Sequence, residues 1–274
     1  MASKIKLSRS SFVGIVVFFA FFLIALLSPF ISPYDPWKRF EPFERPSIEH
    51  ILGTNDIGND ILSEVIYGTR VSLIVGCSAA IIATIIGTMA GTLSGYFKGA
   101  VDEVVMGITD IFLMIPQIPL IIILAAFLKP SFGITAVIMG FLWWPSTARV
   151  VRSKVLQVRE MSYVESARSL GFSDLHIMIT DIIPNFIHVL IPKFLLVISS
   201  AMIAEASLSF LGLGDPTTKS WGTIINFAFT RGGFDNDMWW WYLPPGFCIT
   251  IFVLSAVLLG QSIEDQEEIM ERIE

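Results

Sequence analysis

The sequence predicts an all-α membrane protein with six transmembrane helices. Of its 274 residues, 54% are hydrophobic and only 15% are charged, and the mean hydropathy is +0.71. A typical soluble domain carries about 25% charged residues, so this composition indicates that lipid surrounds much of the chain. Because backbone polar groups in lipid must be satisfied within their own segment, each long apolar run is interpreted as a helix.

Six apolar runs approach the roughly 20 residues that a helix needs to cross a bilayer. They are about 12–31, 71–94, 104–128, 133–150, 183–204 and 244–262. Pro116 and Pro119 in the third run, and Pro192 in the fifth, would kink their helices or mark a packed site. The runs divide the chain into an amino terminus, a first helix, an outer segment, a five-helix core and a tail, at 1–11, 12–31, 32–70, 71–262 and 263–274.

Basic residues near the ends of these runs predict the orientation in the membrane. Three basic residues precede the first run, which is longer than a signal-peptide core and is expected to remain as a helix. The densest basic cluster follows the fourth run and comprises Arg149, Arg152, Lys154, Arg159 and Arg168. An even number of spans separates the two groups, so both are expected on the cytoplasmic side of the plasma membrane. With six spans in total, the carboxyl terminus is expected on that side as well.

The chain carries no recognisable enzyme or metal motif. G-x-x-x-x-G-K-[ST], G-x-S-x-G and H-E-x-x-H are all missing from the sequence. Cys77 and Cys248 lie inside apolar runs, and His50, His176 and His188 lack metal-ligand spacing. We therefore expect no catalytic residue, bound metal or cofactor on this chain, and the modest net charge of -6 predicts no nucleic-acid partner.

Three ionisable residues lie within or at the end of predicted spans, where charge is costly and often functional. Asp110, Lys193 and Glu205 are therefore candidates for a transport path or its gate. Asp110 could face the bundle interior, or it could lie near the cytoplasmic end and reach water. Lys193 lies mid-span, where its ammonium group could reach water only with difficulty, which favours an inward-facing or paired role.

Two further stretches have unusual compositions. Gly87, Gly91 and Gly95 repeat a G-x-x-x-G spacing that lets two helix backbones approach closely. They could pack within the chain, against a second subunit or along a path. The outer loop at about 205–243 is rich in tryptophan and phenylalanine, and we expect it to lie partly in the membrane or to plug the outer mouth.

A mixed segment at about 151–182 separates the fourth and fifth runs. Ser162 and Glu165 have the spacing of a capping box, which predicts that a short helix begins at Ser162 as N-cap. Gly171 suits the position just after the end of that helix. The predicted helix carries one apolar stripe, made of Tyr163, Ala167 and Leu170.

A second short helix is predicted after the glycine. Ser173 could cap it, and it would run towards Asp181, with Pro184 at the start of the fifth transmembrane helix. The segment would then form two short helices at the cytoplasmic face, joined at a glycine corner. From the residues alone, it could dock into a groove on another protein or simply link two spans.

The motif E-S-A-x-x-x-G at 165–171, with Pro184 thirteen residues after the glycine, resembles the EAA loop of ABC importer permeases. The family pattern has a second alanine where this chain has Ser166. Five further stretches resemble the C-type subunits of dipeptide, oligopeptide and nickel permeases, although Asn59 stands where that family usually has an arginine. These stretches are HILGTNDIGND (50–60), YGTRVSLIVG (67–76), EASLSFLGLG (205–214), SWG (220–222) and WWWYLPPG (239–246).

The resemblance implies a type I ABC importer permease fold and a set of partners. A homologous second permease subunit would complete the path, and an extracytoplasmic substrate-binding protein would deliver the cargo. Two ABC ATPase subunits would hold ATP and Mg²⁺ and receive a coupling helix from the EAA loop. By position, the residues carried over to this coupling role are Glu165, Ser166, Ala167, Gly171 and Pro184.

The cargo implied first is a di- or oligopeptide. Some members of the family are associated with oligosaccharides and others with nickel, and nickel is disfavoured because no His or Cys cluster lies in the predicted spans. A proton- or sodium-coupled carrier is the alternative from a different class. Such a carrier would usually show paired intramembrane carboxylates and would not need a capped cytoplasmic helix pair.

Overall fold

In the computed structural model, residues 9–128 and 131–271 are described, together with the side chains of residues 11–128 and 131–264. Most of the predicted amino terminus and the last residues of the predicted tail lie outside this part of the chain. The described α-helices are α1 (Arg9–Ile31), α2 (Ile61–Phe97), α3 (Gly99–Met114), α4 (Gln117–Phe127), α5 (Phe132–Val158), α6 (Ser162–Ser169), α7 (Asp174–Ile177), α8 (Ile183–Phe210), α9 (Trp221–Thr230) and α10 (Trp239–Glu271).

Within the described residues, five helical segments are long and apolar enough to cross a membrane, or six if the bent pair α3 and α4 forms one span. The predicted all-α membrane fold is thereby confirmed. The segments are Ser11–Ile31, Ile61–Phe97, Phe132–Val158, Asp174–Phe210 and Trp239–Glu264. Most exceed their predicted bounds, and residues 61–70, assigned to the outer segment, belong to α2.

The third predicted span is not one continuous helix. The axes of α3 and α4 meet at 81°, with the break at Ile115 and Pro116. Pro116 is the N-cap of α4 and Pro119 lies in its first turn. Neither proline has an N–H to donate, so both are tolerated where a helix begins, and the predicted kink is confirmed as a break.

The glycine repeat of α2 packs against α5 of the same chain. A methyl group added at Gly91 would lie 2.5 Å from the Ala148 carbonyl oxygen, and one at Gly87 would lie 2.6 Å from Cβ of Thr147. Both distances are too short for real atoms, so the two backbones are as close as glycine allows. Of the three roles left open for this repeat, packing within the chain is the one observed.

The prediction that residues 205–243 form a loop is wrong for much of this stretch. Residues 205–210 complete α8, residues 221–230 form α9 and α10 begins at residue 239. Trp221 and Trp241 are fully buried, and Trp221 contacts Phe21 of α1 edge-on, with ring centroids 5.6 Å apart. The aromatic residues were expected at a membrane surface, but these two fill the core between α1, α9 and α10.

The helix bundle has two distinct ends. We call the end that carries residues 32–60, 211–220 and 231–238 the loop end, and the end that carries residues 159–182 the α6 end. The main apolar core extends through α1, α2, α5, α8, α9 and α10. A second, smaller apolar cluster lies at the α6 end and joins α2, α5, α6 and α8.

Candidate functional site

The helix α6 is attached to the bundle through a single buried side chain. Val164 is fully buried in the apolar cluster at the α6 end, where its neighbours come from three other helices. Those neighbours include Tyr96 at the end of α2, Val155 and Val158 at the end of α5, and Phe186 of α8. The last turns of α2 and α5 and the first turn of α8 thus form the platform on which α6 lies.

Two details of the predicted α6 are wrong. The N-cap is Met161, without a side-chain hydrogen bond, and Ser162 is the first helical residue. The Ser162–Glu165 capping box is therefore not formed. Tyr163 and Leu170 of the predicted apolar stripe lie on the outside of the bundle, at 40% and 77% exposure. The burial of Val164 sets the orientation of the helix and turns that stripe outward.

The end of α6 is confirmed as a glycine corner. Gly171 has a φ of +82°, its N–H donates to the Arg168 carbonyl at 3.0 Å, and the N–H of Phe172 donates to the Ala167 carbonyl at 3.3 Å. This pair of bonds is the Schellman motif, which satisfies the last carbonyls of a helix and favours glycine at the left-handed position. No atom lies within 4 Å of a methyl group added at Gly171, so the corner faces open space.

The second short helix does not end at Asp181 as predicted. Ser173 caps α7 through a bond from the His176 N–H, but α7 continues through a π-helical turn, Met178–Ile182, directly into α8. Pro184 thus lies inside a continuous helical segment. A proline there lacks an N–H and crowds the carbonyl one turn earlier, and a widened π turn is a common way to accommodate it.

A tyrosine links α7 to the end of α2. The Tyr96 hydroxyl donates to Oδ1 of Asp174 at 2.6 Å, and the Tyr96 side chain is almost fully buried. The Arg168 guanidinium lies over the same ring, 5.5 Å from its centroid. Partial burial and the negative charge of Asp181 raise the pKa of the Tyr163 phenol.

The outer surface of this segment combines exposed polar residues with an apolar patch around the glycine corner. Glu165, Ser166 and Gly171 are exposed and Ala167 is half-buried, so four of the predicted coupling residues lie on one accessible segment. Pro184 lies apart from them on α8. The large apolar side chains exposed around the corner are Leu170, Phe172, Leu175 and Ile179.

Asp110 does not face the bundle interior. It lies on α3 and forms an ion pair with Arg149 of α5, with 2.6 Å between Oδ1 and Nη2. Both side chains are about half exposed, at 49% for Asp110 and 56% for Arg149. Asp110 therefore lies on the outer surface of this chain's bundle, paired with Arg149.

Lys193 lies on α8 beside a cavity of about 150 Å³. The other polar residues of its lining are Gln117 at the start of α4, Ser146 of α5 and Ser200 of α8. Gln117 is held there by a bond from Nε2 to the Leu142 carbonyl at 3.2 Å. The predicted inward-facing role of Lys193 is thus compatible with its position.

Glu205 is a buried carboxylate that joins α8 to α2 and α9. Its exposure is 5%, and it accepts hydrogen bonds from Ser209 at 2.8 Å and from Ser72 at 3.5 Å. Ser220, the N-cap of α9, is a further hydrogen-bonding partner. This carboxylate stabilises the start of α9 and lines neither cavity beside α8.

A buried ion pair at the loop end was missed by the sequence analysis. Lys219 and Glu64 are 8% and 1% exposed in their side chains and are in direct contact. The Lys219 ammonium also donates to Oδ1 of Asn59 at 2.9 Å, and Asn55 donates to Glu64 at 3.0 Å. These residues are up to 160 positions apart, so spacing along the chain could not reveal the contact.

The chain matches two family descriptions. Residues 83–266 match the "binding-protein-dependent transport system inner membrane component" family, and residues 3–46 match the "N-terminal TM domain of oligopeptide transport permease C" family. The first match covers more than half of the chain and includes α6 and its platform.

Curated relatives cover almost the whole chain. The dipeptide transport system permease protein DppC of Escherichia coli K12 is 36% identical over 269 residues, which is 95% of this chain and 89% of the relative. The DppC proteins of Haemophilus influenzae and Bacillus subtilis are 32% and 30% identical and cover 95% and 96% of this chain, corresponding to 90% and 82% of their own lengths. This chain therefore belongs to the inner membrane components of binding-protein-dependent transport systems, the permease subunits of ABC importers, and is a multi-pass membrane protein.

Proposed function

We propose that this chain forms one half of the transmembrane path of an ATP-driven importer for di- or oligopeptides, and that α6 couples it to the ATPase subunits. Family membership places the chain among the permease subunits of importers that work with other subunits. The named relatives are dipeptide transport permeases aligned over nearly their whole length, which supports a peptide cargo.

The observation that carries the coupling role is an exposed apolar corner on a firmly attached helix. Leu170 and Leu175 are 77% and 64% exposed, whereas Val164 at the base of α6 is fully buried. Exposed apolar side chains clustered on a protruding segment are typical of a surface that another protein covers. Here the partner would be an ABC ATPase subunit, with one such subunit beneath each of two permeases.

The contacts of α6 suit it to transmitting a displacement. ATP with Mg²⁺, bound on the partner chains, would close the ATPase pair and draw the two α6 helices together, and hydrolysis would reverse this. A partner shifts a conformational equilibrium only through contacts that differ between the two states. The Schellman corner at Gly171, buried Val164 and the Tyr96–Asp174 bond keep α6 from moving independently of α2, α5 and α8.

The charge distribution supports a cytoplasmic α6 end. Arg149, Arg152, Arg159 and Arg168 lie at or near this end, together with Lys98 at the end of α2. Cytoplasmic segments of membrane proteins are enriched in Lys and Arg. Under this orientation both termini are cytoplasmic, and the loop end is the surface that an extracytoplasmic binding protein would approach.

The described chain leaves one side of the bundle open for a second, homologous permease. Exposed apolar side chains follow both α3 and α4, and cavities beside α8 open between α4 and α5. The most exposed of these side chains are Val104, Met114, Ile118 and Phe127. A second permease that covered this side would enclose a path between the two subunits.

The coupling role is tested with the Gly171→Asp variant of the purified complex in proteoliposomes. We expect the variant to insert and assemble, because the position is open, but to lose most ATP-dependent peptide uptake and most stimulation of ATP hydrolysis by the loaded binding protein. The matched control is Gly99→Asp. Gly99 also has a positive φ, of +52°, with no atom near an added methyl group, but it is the first residue of α3.

Normal uptake by Gly171→Asp in a complex that still holds its ATPase subunits would refute the coupling role. Equal losses in both variants would assign the effect to backbone strain at positive φ. Uptake that persists without ATP and stops when the proton gradient is collapsed would instead support an ion-coupled carrier.

A further inference from the structure

Two adjoining cavities follow one face of α8. The larger is about 340 Å³ and the smaller about 150 Å³, and both are lined by Gln117, Trp143 and Ser200. Together they extend along α8 from Lys193 to Leu211. At about 1.5 Å per residue this is about 27 Å, close to the thickness of a bilayer core of about 30 Å. We call this feature the α8 groove.

The polarity of the α8 groove changes along its length. The larger cavity is lined mostly by aliphatic side chains of α4 and α8. In the smaller cavity four of the seven lining residues are polar, namely Gln117, Ser146, Lys193 and Ser200. Hydrogen-bonding groups and a positive charge are therefore concentrated towards the α6 end.

Of the residues that line either cavity, Lys193 alone has a titratable side chain, and it lines the smaller cavity. Glu264 of α10 acts on it electrostatically, but among the described side chains no carboxylate lies within ion-pair distance of its ammonium group. A partly buried ammonium without a direct counter-ion favours the binding of an anion. Ionisable residues on membrane helices commonly mark the route of a substrate.

We infer that Lys193 binds the C-terminal carboxylate of a peptide as it passes through the inner half of the path. A free peptide carries one terminal carboxylate and a series of amide groups. The ammonium of Lys193 matches the first, and the side chains of Gln117 and Ser200 can hydrogen-bond the second. The inference rests on the proposed peptide cargo and adds a specificity-determining residue to it.

The test compares uptake of one short peptide as its free acid and as its C-terminal amide, in proteoliposomes with the whole complex and its binding protein. The variants are Lys193→Met, which removes the charge, and Lys193→Arg, which retains it. Each rate is divided by the wild-type rate for the same peptide, so any preference of the binding protein cancels. We expect Lys193→Met to lower this ratio about three- to tenfold for the free acid, the range that the loss of one ordinary hydrogen bond gives.

The ratio for the amide should remain near one, and Lys193→Arg should behave as wild type with both peptides. Equal losses for acid and amide would overturn the inference, as would unchanged uptake of the acid. Glu264→Gln is the matched control. It should keep the preference for the acid, whereas a loss equal to that of Lys193→Met would indicate a structural Lys193–Glu264 interaction.

A second measurement covers the case in which wild-type complex does not carry the amide. Lys193→Cys is introduced with Cys77→Ser and Cys248→Ser, and its modification by a small charged thiol reagent is followed with and without peptide-loaded binding protein and ATP. Slower modification with peptide supports the inference, and an unchanged rate overturns it. A wild-type complex that carries no peptide at all refutes the proposed cargo, whereas uptake insensitive to residue 193 refutes the carboxylate site alone.

Discussion

At the loop end of the bundle, ionisable side chains with hydrogen-bonding partners are buried, whereas at the α6 end most charged side chains are at least partly exposed and the large buried residues are mainly apolar. The Lys219–Glu64 pair and the Glu205 carboxylate have almost no exposed surface. At the other end, Lys98 and Glu160 are 41% and 71% exposed although they are 2.9 Å apart.

This difference shows which end is complete without a partner. At the loop end, buried Glu64 and Glu205 both have hydrogen-bonding partners within the chain, which connect residues 32–60 to α2, α8 and α9. At the α6 end, a small apolar cluster lies beneath large exposed apolar side chains around Gly171. The loop end is therefore held together within the chain, whereas at the α6 end the proposed ATPase partner would supply the remaining contacts.

Removing Lys219 should have the largest effect on stability. Lys219→Ala leaves Glu64 buried without a cation, and breaking a buried pair in this way costs about 3–5 kcal/mol. We expect a large loss of thermal stability of the detergent-solubilised chain, together with loss of structure around α9, because Lys219 directly precedes the N-cap Ser220. Unfolding followed by tryptophan fluorescence measures this effect.

The double variant Lys219→Met with Glu64→Gln is the control for this prediction. It removes both charges, and the amide introduced at position 64 carries no charge that needs a partner, so at least half of the lost stability should return. If Lys219→Ala costs less than about 1 kcal/mol, the pair does not hold the loop end together, and the contrast between the two ends fails.

Tyr96→Phe should have a smaller effect, confined to the α6 end. The variant retains the ring beneath Arg168 and loses only the hydrogen bond to Asp174, at a cost of about 1 kcal/mol, because exposed Asp174 can bind water instead. We expect faster amide hydrogen exchange in α6 and α7, with α9 unchanged. The ATP hydrolysed per peptide imported should rise, because α6 would be held less firmly. Unchanged exchange in both helices would exclude Tyr96 as a positioning residue.

The long helices could be predicted from composition, but their contacts could not. The α2 helix was placed ten residues too late because Glu64 and other polar residues lower the hydropathy of its first turns, although Asp60 is a recognisable N-cap. The N-cap of α6 was placed one residue too late because the Ser162–Glu165 spacing is a local signal. The burial of Val164, in contrast, depends on three distant helices.

The roles of the isolated charges were least accessible from sequence. Asp110, Lys193 and Glu205 looked equivalent as polar residues in apolar runs, yet they are respectively exposed and paired, beside a cavity, and buried among serines. Only the tertiary arrangement distinguishes these environments. The glycine corner at Gly171 was predictable because a Schellman motif depends on a few neighbouring residues.

Neutralising Glu160 should have the smallest effect and gives the sharpest comparison with Lys219. The hydrogen bond from Lys98 lowers the pKa of the Glu160 carboxyl, yet this group is fully accessible to water. Exposed pairs contribute little because water and salt screen them. We expect Glu160→Gln to leave thermal stability, hydrogen exchange of α6 and peptide uptake unchanged within error at physiological salt. A marked loss in any of these would show that charge also maintains the α6 end, and the two ends would then differ in degree rather than in kind.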